Sequence, residues 1–276
     1  EGPELDWHTL PARVEAVIAQ RVGRLPQPLR AALLAASVEG ELFTAEVVAR
    51  LQGVDQHTMV EMFSGELDRR HRLVHAQSIL RMDGRLLSRY RFRHIQIQKY
   101  LYSSLDEIER VHLHEQVGTS LEGLYGSEEH KTGVAVQLAR HFQEAGITDK
   151  AIHYLHQAGK RAMQMSAYME ANAHLGKALE WLASLPDSPE RAQQELSLQL
   201  DMGMAWLSMA TPSAEMETAY SRARDLCIQM GKTSQLISAL GGLAIFNYVR
   251  GRHRRGLAFA GEALDLARQV DDPHLL

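Results

Sequence analysis

Cysteine is nearly missing from this chain of 276 residues: Cys227 stands alone. An intrachain disulfide is therefore impossible, and a structural zinc site built on several thiolates is excluded. That usage fits a reducing cytoplasm. Aromatic residues are sparse, at 6%, while Leu and Ala are abundant, a balance suited to helices packed through small side chains. Neither sign of charge dominates: the net charge is −4, so nothing global points to nucleic acid or to an acidic membrane surface. No apolar run approaches the roughly 20 residues of a membrane helix, and no signal peptide opens the chain. The chain begins at Glu1 rather than Met, and no helix stop closes it at Leu276; both ends are expected to be cuts through a longer protein. With 45% hydrophobic and 23% charged residues, the composition excludes a disordered chain.

What is present falls into two grammars. Residues 14–22 carry apolar side chains at helical spacing and run into Leu25-Pro26-Gln27-Pro28, a break followed by a fresh helix start. Residues 29–36 form a short apolar helix, Thr44 is placed to cap a third through Leu51, and Gly53-Val54-Asp55 turns into a fourth over residues 56–70. Two alternating runs follow, residues 71–75 and 89–93, with Met82-Asp83-Gly84 as a turn signal between them. At His94 the period changes from two to that of a helix, and residues 94–124 are expected to be helical. Helices followed by one hairpin make the order of a winged helix.

Beyond Lys131 the pattern repeats. Small or apolar residues recur at offsets 0, 4 and 7: Ala151, Leu155, Ala158; Ala171, Leu175, Ala178; Ala219, Ala223, Leu226; Gly256, Ala260, Ala263. The last copy, with Leu240, Leu243, Ala244 and Asn247 before a turn at Gly251, has the fuller pattern of a tetratricopeptide repeat. Small residues there let paired helices approach closely, and stacked neighbours bury a shared core. The spacing of the copies is irregular, with loops expected at residues 186–189 and 211–213. The expected fold is mainly α: a winged-helix domain with a short β-hairpin and connecting helices over residues 1–130, then a right-handed, tetratricopeptide-like α-helical solenoid of degenerate repeats over residues 131–276.

The stretch Arg89-Tyr90-Arg91-Phe92-Arg93-His94 and the helix after it, continued to His112-Leu113-His114, resembles the end of the winged helix of bacterial STAND proteins, the signal-transduction ATPases with numerous domains. Leu10-Pro11-Ala12 through Arg24-Leu25-Pro26, residues 35–43, residues 66–74, Leu138-Ala139-Arg140-His141-Phe142 and Tyr220-Ser221-Arg222-Ala223 resemble further parts of the same arrangement. The resemblance implies an ATP- and Mg-binding P-loop module upstream, and either a nucleotide cyclase or a DNA-binding activator at the front. It implies no cofactor in this part of the chain. Partners would be the upstream nucleotide-binding domain and, on the repeats, a protein, a peptide or a small-molecule inducer.

Catalytic constellations are missing from the sequence. Gly231-Lys232-Thr233 ends like a phosphate-binding loop, but the first glycine of that motif would fall at Leu226 and the preceding segment is helical; Gly231 is better placed as a helix C-cap. Among the 14 histidines, the pairs His71/His75, His112/His114 and His153/His156 have no third ligand at a metal-binding spacing, so half-exposed helix histidines are expected; His94 is expected to pack or cap. Cys227 suits a small core residue, and Glu128-Glu129 and Asp271-Asp272 suit solvated loops. Met163, Met165, Met169, Met202, Met204 and Met209 are expected mostly in the core of the repeats, with one or two on a concave face. No catalytic or metal-binding residue is assigned.

Two basic clusters remain. Arg69, Arg70 and Arg72, with Arg81, Arg85, Arg89, Arg91, Arg93 and His94, load the wing and the helix before it. They suit contact with a neighbouring domain or, alternatively, with DNA phosphates. Arg250, Arg252, Arg254 and Arg255 crowd one repeat turn, as a solvated loop or part of a protein-binding rim. The function expected is a non-enzymatic sensor and relay of a cytoplasmic signalling ATPase. The alternatives are a DNA-binding regulator using the winged helix and a passive interaction scaffold.

Overall fold

The computed structural model describes residues 12–82, 84–126, 128–209 and 213–270. The expectations placed on Leu10-Pro11, on Asp83, on residues 211–212, on the side chains of Glu128-Glu129 and on Asp271-Asp272 lie outside what is described. The chain divides into two compact units, Glu1–Ile147 and Thr148–Leu276. Sequence grammar changes earlier, at 130/131. The physical reason is that the helix Ala135–Glu144 buries Leu138 and Phe142, with Phe142 against Gly118 of the helix Glu107–Leu124 in the first unit.

In the first unit α1 (Ala12–Gly23) and α2 (Gln27–Glu39) lead to a short β1 (Leu42–Thr44) and α3 (Ala45–Gln52). Then come α4 (Gln56–Glu61), a π-helix (Met62–Arg70) and the hairpin β2 (Val74–Met82) and β3 (Arg85–Phe92). Helices α5 (Ile95–Ser103), α6 (Glu107–Leu124), α7 (Glu128–Gly133) and α8 (Ala135–Glu144) complete it. Helices followed by one hairpin are the order the sequence suggests; the short strand β1 between α2 and α3 is an addition to it. All three strands are antiparallel in the order β1-β3-β2. Pro28 in the first turn of α2 costs nothing, because the first amides of a helix have no intrahelical partner. Asp106 and Glu109 close a reciprocal capping box that starts α6 and so breaks the helix expected over 94–124.

The core of this unit centres on four rings. Phe43 lies 5.0 Å from Phe63 and 5.1 Å from Phe92, and Phe63 lies 5.2 Å from Tyr90. Tyr90 keeps its hydroxyl satisfied on Ser64 at 2.7 Å. Two buried carboxylates hold the corner around β1. Glu46 accepts the amide of Ser88 at 2.8 Å. Glu39 accepts both the amide of Thr44, at 3.0 Å, and its hydroxyl, at 2.8 Å. Thr44 does precede α3 as its N-cap, but its hydroxyl is committed to Glu39 and caps nothing.

The second unit is three helix pairs: α9 (Thr148–Gln164) with α10 (Tyr168–Ala183), α11 (Pro189–Ser208) with α12 (Ala214–Met230), and α13 (Thr233–Val249) with α14 (His253–Val270). Small residues at the repeating offsets are buried in the first three copies, from Ala151 through Leu226. Close approach is literal at several glycines. A Cβ on Gly159 would sit 2.9 Å from Leu175, and one on Gly242 only 2.4 Å from the Tyr220 ring. Turns share one closure, in which a left-handed residue lets the next amide reach back over the helix end. Ala167 bonds Ala162, Lys232 bonds Cys227 and Arg252 bonds Asn247, at 2.8, 3.0 and 2.8 Å. Gly231, at φ +65°, is the C-cap that the sequence suggests. Cys227 is fully buried, and burial pushes its thiol pKa up. No helix among the described residues is long and apolar enough to cross a membrane.

Candidate functional site

The arginine-laced wing lies in the first unit. Strand alternation puts Arg89, Arg91 and Arg93 at one parity, with Tyr90 and Phe92 buried at the other. Arg89 sits mid-sheet, level with Thr44 of β1 and Ser78 of β2, where its charge also acts on Glu39. Arg91 lies 3.7 Å from Glu41. Arg93 is the clasp of the wing: its Nη2 donates to Asp68 at 2.6 Å and its Nε to the carbonyl of Val74 at 3.0 Å. Arg70 pairs with Glu66 at 3.1 Å, and Arg69 donates to the Ser64 carbonyl at 3.1 Å. Arg85 donates to the carbonyl of Gly123 near the end of α6, at 3.1 Å. Arg72 is exposed and takes a left-handed φ of 51°. The expected strand over residues 71–75 starts later, at Val74, because Arg72 turns the chain out of extended geometry. The sequence thus puts eight arginines in one region, and the fold ties five of them to its own acids and carbonyls.

His94 occupies the N-cap position of α5, and its carbonyl accepts the amide of Ile97 at 3.0 Å. Its ring is exposed and makes no capping hydrogen bond, so the expected packing or capping role reduces to the backbone. The side chains that join α5 to the rest lie further along. Gln98 donates to the carbonyl of Ser37 in α2 at 2.7 Å. Tyr102 meets Nε2 of His114 at 3.0 Å, and Nδ1 of His114 meets Nδ1 of His141 at 2.9 Å. This polar line runs from α5 through α6 to α8, with Arg110 over the Tyr102 ring at 5.6 Å.

Both histidines are buried, contrary to the expectation of half-exposed rings. One Nδ1 must donate and the other accept, so protonating both would set N–H against N–H. Burial, reinforced by Arg140 and Arg110, pushes His114 down to about 4. Burial, with Arg140 and His114, holds His141 well below the ordinary imidazole value. Nε2 of His141 has no hydrogen-bond partner among the described residues. Sequence reasoning missed this pair, although a signal existed: His114, Val117, Gly118 and Leu121 share one helical face, and His141 stands between Leu138 and Phe142. His156 also has an acid partner, Asp201, at 2.6 Å. No cluster of three or more metal-ligating side chains occurs among the described residues.

Near Glu39 the balance runs the other way. Burial raises its carboxyl to about 7, against the hydrogen bonds from Thr44 and the charge of Arg89. Arg140 of α8 donates to the carbonyl of Val38, at 3.1 Å, near the C-terminus of α2, where the helix dipole favours a cation.

In the second unit, Arg250, Arg252, Arg254 and Arg255 are exposed around the α13–α14 turn. Arg252 and Arg255 share Glu217 of α12, at 3.5 and 3.6 Å, and Arg255 also lies over Phe259 at 5.8 Å. Arg250 and Arg254 have no ion pair among the described residues. The methionines depart from expectation in part: Met165, Met169 and Met204 are exposed and Met202 and Met209 half-buried, while Met163, also half-buried, packs against the buried cluster of Ala162, Ala171 and Ala205.

No protein-family model matches the chain. No curated protein matches it either. Among solved structures, it is similar to the crystal structure of a signal transduction ATPase with numerous domains (STAND) protein with a tetratricopeptide repeat sensor from Pyrococcus horikoshii. Identity is 12% and the TM-score 0.38; the match covers 97% of this chain, which spans 48% of the length of that one.

Proposed function

We propose that this chain is the regulatory and sensor portion of a STAND-type signalling ATPase. Its repeats receive a protein or small-molecule signal, and its winged-helix unit relays that event to a nucleotide-binding module elsewhere in the same protein. ATP and Mg belong to that module, and the role of the present chain is non-catalytic. The observation that carries the reading is the joint at Arg93: one guanidinium ties the π-helix to β2 just before the chain enters α5. Helix α5 then continues through Tyr102 and the buried histidines into α8. Such a joint transmits displacement because its members are packed and hydrogen-bonded at both ends.

A ligand can shift the switch only by its differential affinity for two domain arrangements. Nucleotide exchange by the full-length ATPase, measured with and without its inducer, is expected to change, and Arg93→Ala is expected to blunt the response while inducer binding persists. Inducer binding with unaltered exchange in the unmodified protein would sink the relay. The DNA-binding alternative draws on the same arginines, of which Arg70, Arg91 and Arg93 already have acid partners. It requires salt-dependent binding of duplex DNA that weakens when Arg89, Arg91 and Arg93 become Ala.

A further inference from the structure

Helix α8 grips the first unit through one polar face. Gln137 and His141 lie four residues apart on it, and Arg140 stands beside them. Arg140 donates to the carbonyls of Val38 and Glu39 that end α2, and Gln137 bonds the Glu39 carboxyl. His141 meets His114 of α6, Nδ1 to Nδ1, at 2.9 Å. Leu138, Ala139 and Phe142 are buried alongside. A Cβ on Gly118 of α6 would lie 3.2 Å from the Phe142 ring, so the two helices approach closely at the histidines. Beyond α8 the chain turns at Gly146, φ +73°.

The imidazole contact differs from the rest of this face because the two rings share one proton. They come from different helices and are 1% and 0% exposed. Tyr102 of α5 occupies Nε2 of His114, whereas Nε2 of His141 has no partner among the described residues. The charges that act on the rings are Arg140 of α8 and Arg110 of α6, both cations. Glu39 of α2 is held by Thr44, Glu144 of α8 acts on Tyr102, and Arg50 of α3 reaches Ser120 further along α6. A first added proton therefore makes a buried imidazolium beside two guanidinium groups, with no carboxylate among the described residues to answer it. A second sets N–H against N–H. We propose that the His114–His141 contact is a proton-operated latch, holding α8 on α6 while both rings are neutral and releasing the helix when they charge. Burial and the two cations depress both rings, His114 to about 4. The latch is therefore fully closed above the ordinary value of 6.5 and opens as pH falls toward the depressed one. Glu39, raised to about 7, is largely neutral before the rings charge and does not set the release. The latch lies within the first unit and stands whether or not the relay does.

Hydrogen exchange of the 276-residue chain, followed by mass spectrometry from neutral to acid pH and corrected for the chemical effect of pH on exchange, tests the latch. Protection of residues 135–144 is expected to fall by about tenfold per pH unit below 6.5 for each ring that takes a proton, while α2 keeps its protection. The paired substitution His114→Phe and His141→Leu should hold the protection of α8 level over the same range. Histidine-selective NMR of the unsubstituted protein shows whether the rings charge as that protection is lost, so the test survives a variant that misfolds. Four results would each overturn the proposal. They are loss of protection in α8 and α2 together, release that persists in the paired variant, release that Glu39→Gln abolishes, and rings that charge with α8 still protected.

Discussion

Gly241 and Gly242 are neighbours on α13, yet replacing each with alanine should move stability in opposite directions. A Cβ on Gly241 meets nothing within 4 Å, whereas one on Gly242 falls 2.4 Å from Cε2 and Cζ of Tyr220. Tyr220 is only 5% exposed. Gly203 of α11 lies against the same ring, 2.7 Å from where its own Cβ would be. The ring therefore has little room to retreat. Restoring ordinary contact needs a shift of about 1 Å between helices, and overpacking of that kind costs about 1–3 kcal/mol or somewhat more. Alanine recovers about 1 kcal/mol of helix propensity at either site. At Gly242 the rigidly held ring puts the clash at the upper end of that range, for a net loss of up to about 2 kcal/mol; at Gly241 propensity stands alone, for a net gain of about 0.5–1 kcal/mol. Urea unfolding followed by far-UV circular dichroism measures both. Tyr220→Leu in the Gly242→Ala background should restore part of the loss, giving a coupling of about 1 kcal/mol or more in a double-mutant cycle. If both alanines shift stability in the same direction, or the cycle shows no coupling, the account of α12 wedged between two glycines is wrong.

Acid and base titrations in the first unit should oppose each other. Glu39 is raised from 4.5 to about 7, so its contribution is complete below the lower value and is lost as pH rises through the upper one. His114 is depressed from 6.5 to about 4, so its contribution is present above 6.5 and is lost as pH falls through the lower value, and His141 acts in the same sense. Unfolding midpoints measured across that range should show Glu39→Gln removing the loss of stability toward neutral pH and exposing a steeper loss toward acid; an unchanged profile would refute the assignment. Ser166 closes the α9–α10 turn at φ +59°, a left-handed geometry that strains a side-chain-bearing residue. Ser166→Gly should gain roughly 0.5–1 kcal/mol by urea unfolding despite the added freedom of its unfolded chain, and a loss would mean the turn is unstrained.

The change of period at His94 was legible because β3 and α5 meet there, at Phe92 and Ile95, with almost no loop between them. Helix starts at Pro26-Gln27-Pro28 and the C-cap at Gly231 followed from backbone chemistry that each residue imposes on itself. Strand β1 was not legible. Three residues are too few to alternate, and Leu42–Thr44 is extended because β3 offers it an edge. The arginines misled for a related reason. Arg93 finds Asp68 across 25 residues and Arg252 finds Glu217 across 35, so a local cluster of charge looks free until the fold brings its acids. Buried His114 and His141 were hidden by polarity, since each is satisfied only by a ring on another helix. The methionines suggest burial by residue type alone, and the fold leaves Met165, Met169 and Met204 exposed.

The π-helix over Met62–Arg70 bears on how this region can be compared with others. Its wider winding closes hydrogen bonds one residue further back, as the amide of His71 does on Glu66 at 2.9 Å. Side chains beyond it are therefore rotated from where an α-helix would have pointed them, and Asp68 reaches Arg93 with Phe63 and Leu67 still buried. A residue added or removed in this span rotates everything downstream, whereas a loop would absorb it. The placement of the wing is thus set by the pitch of a helix, and an alignment that counts this stretch as ordinary helix will put the clasp on the wrong residue.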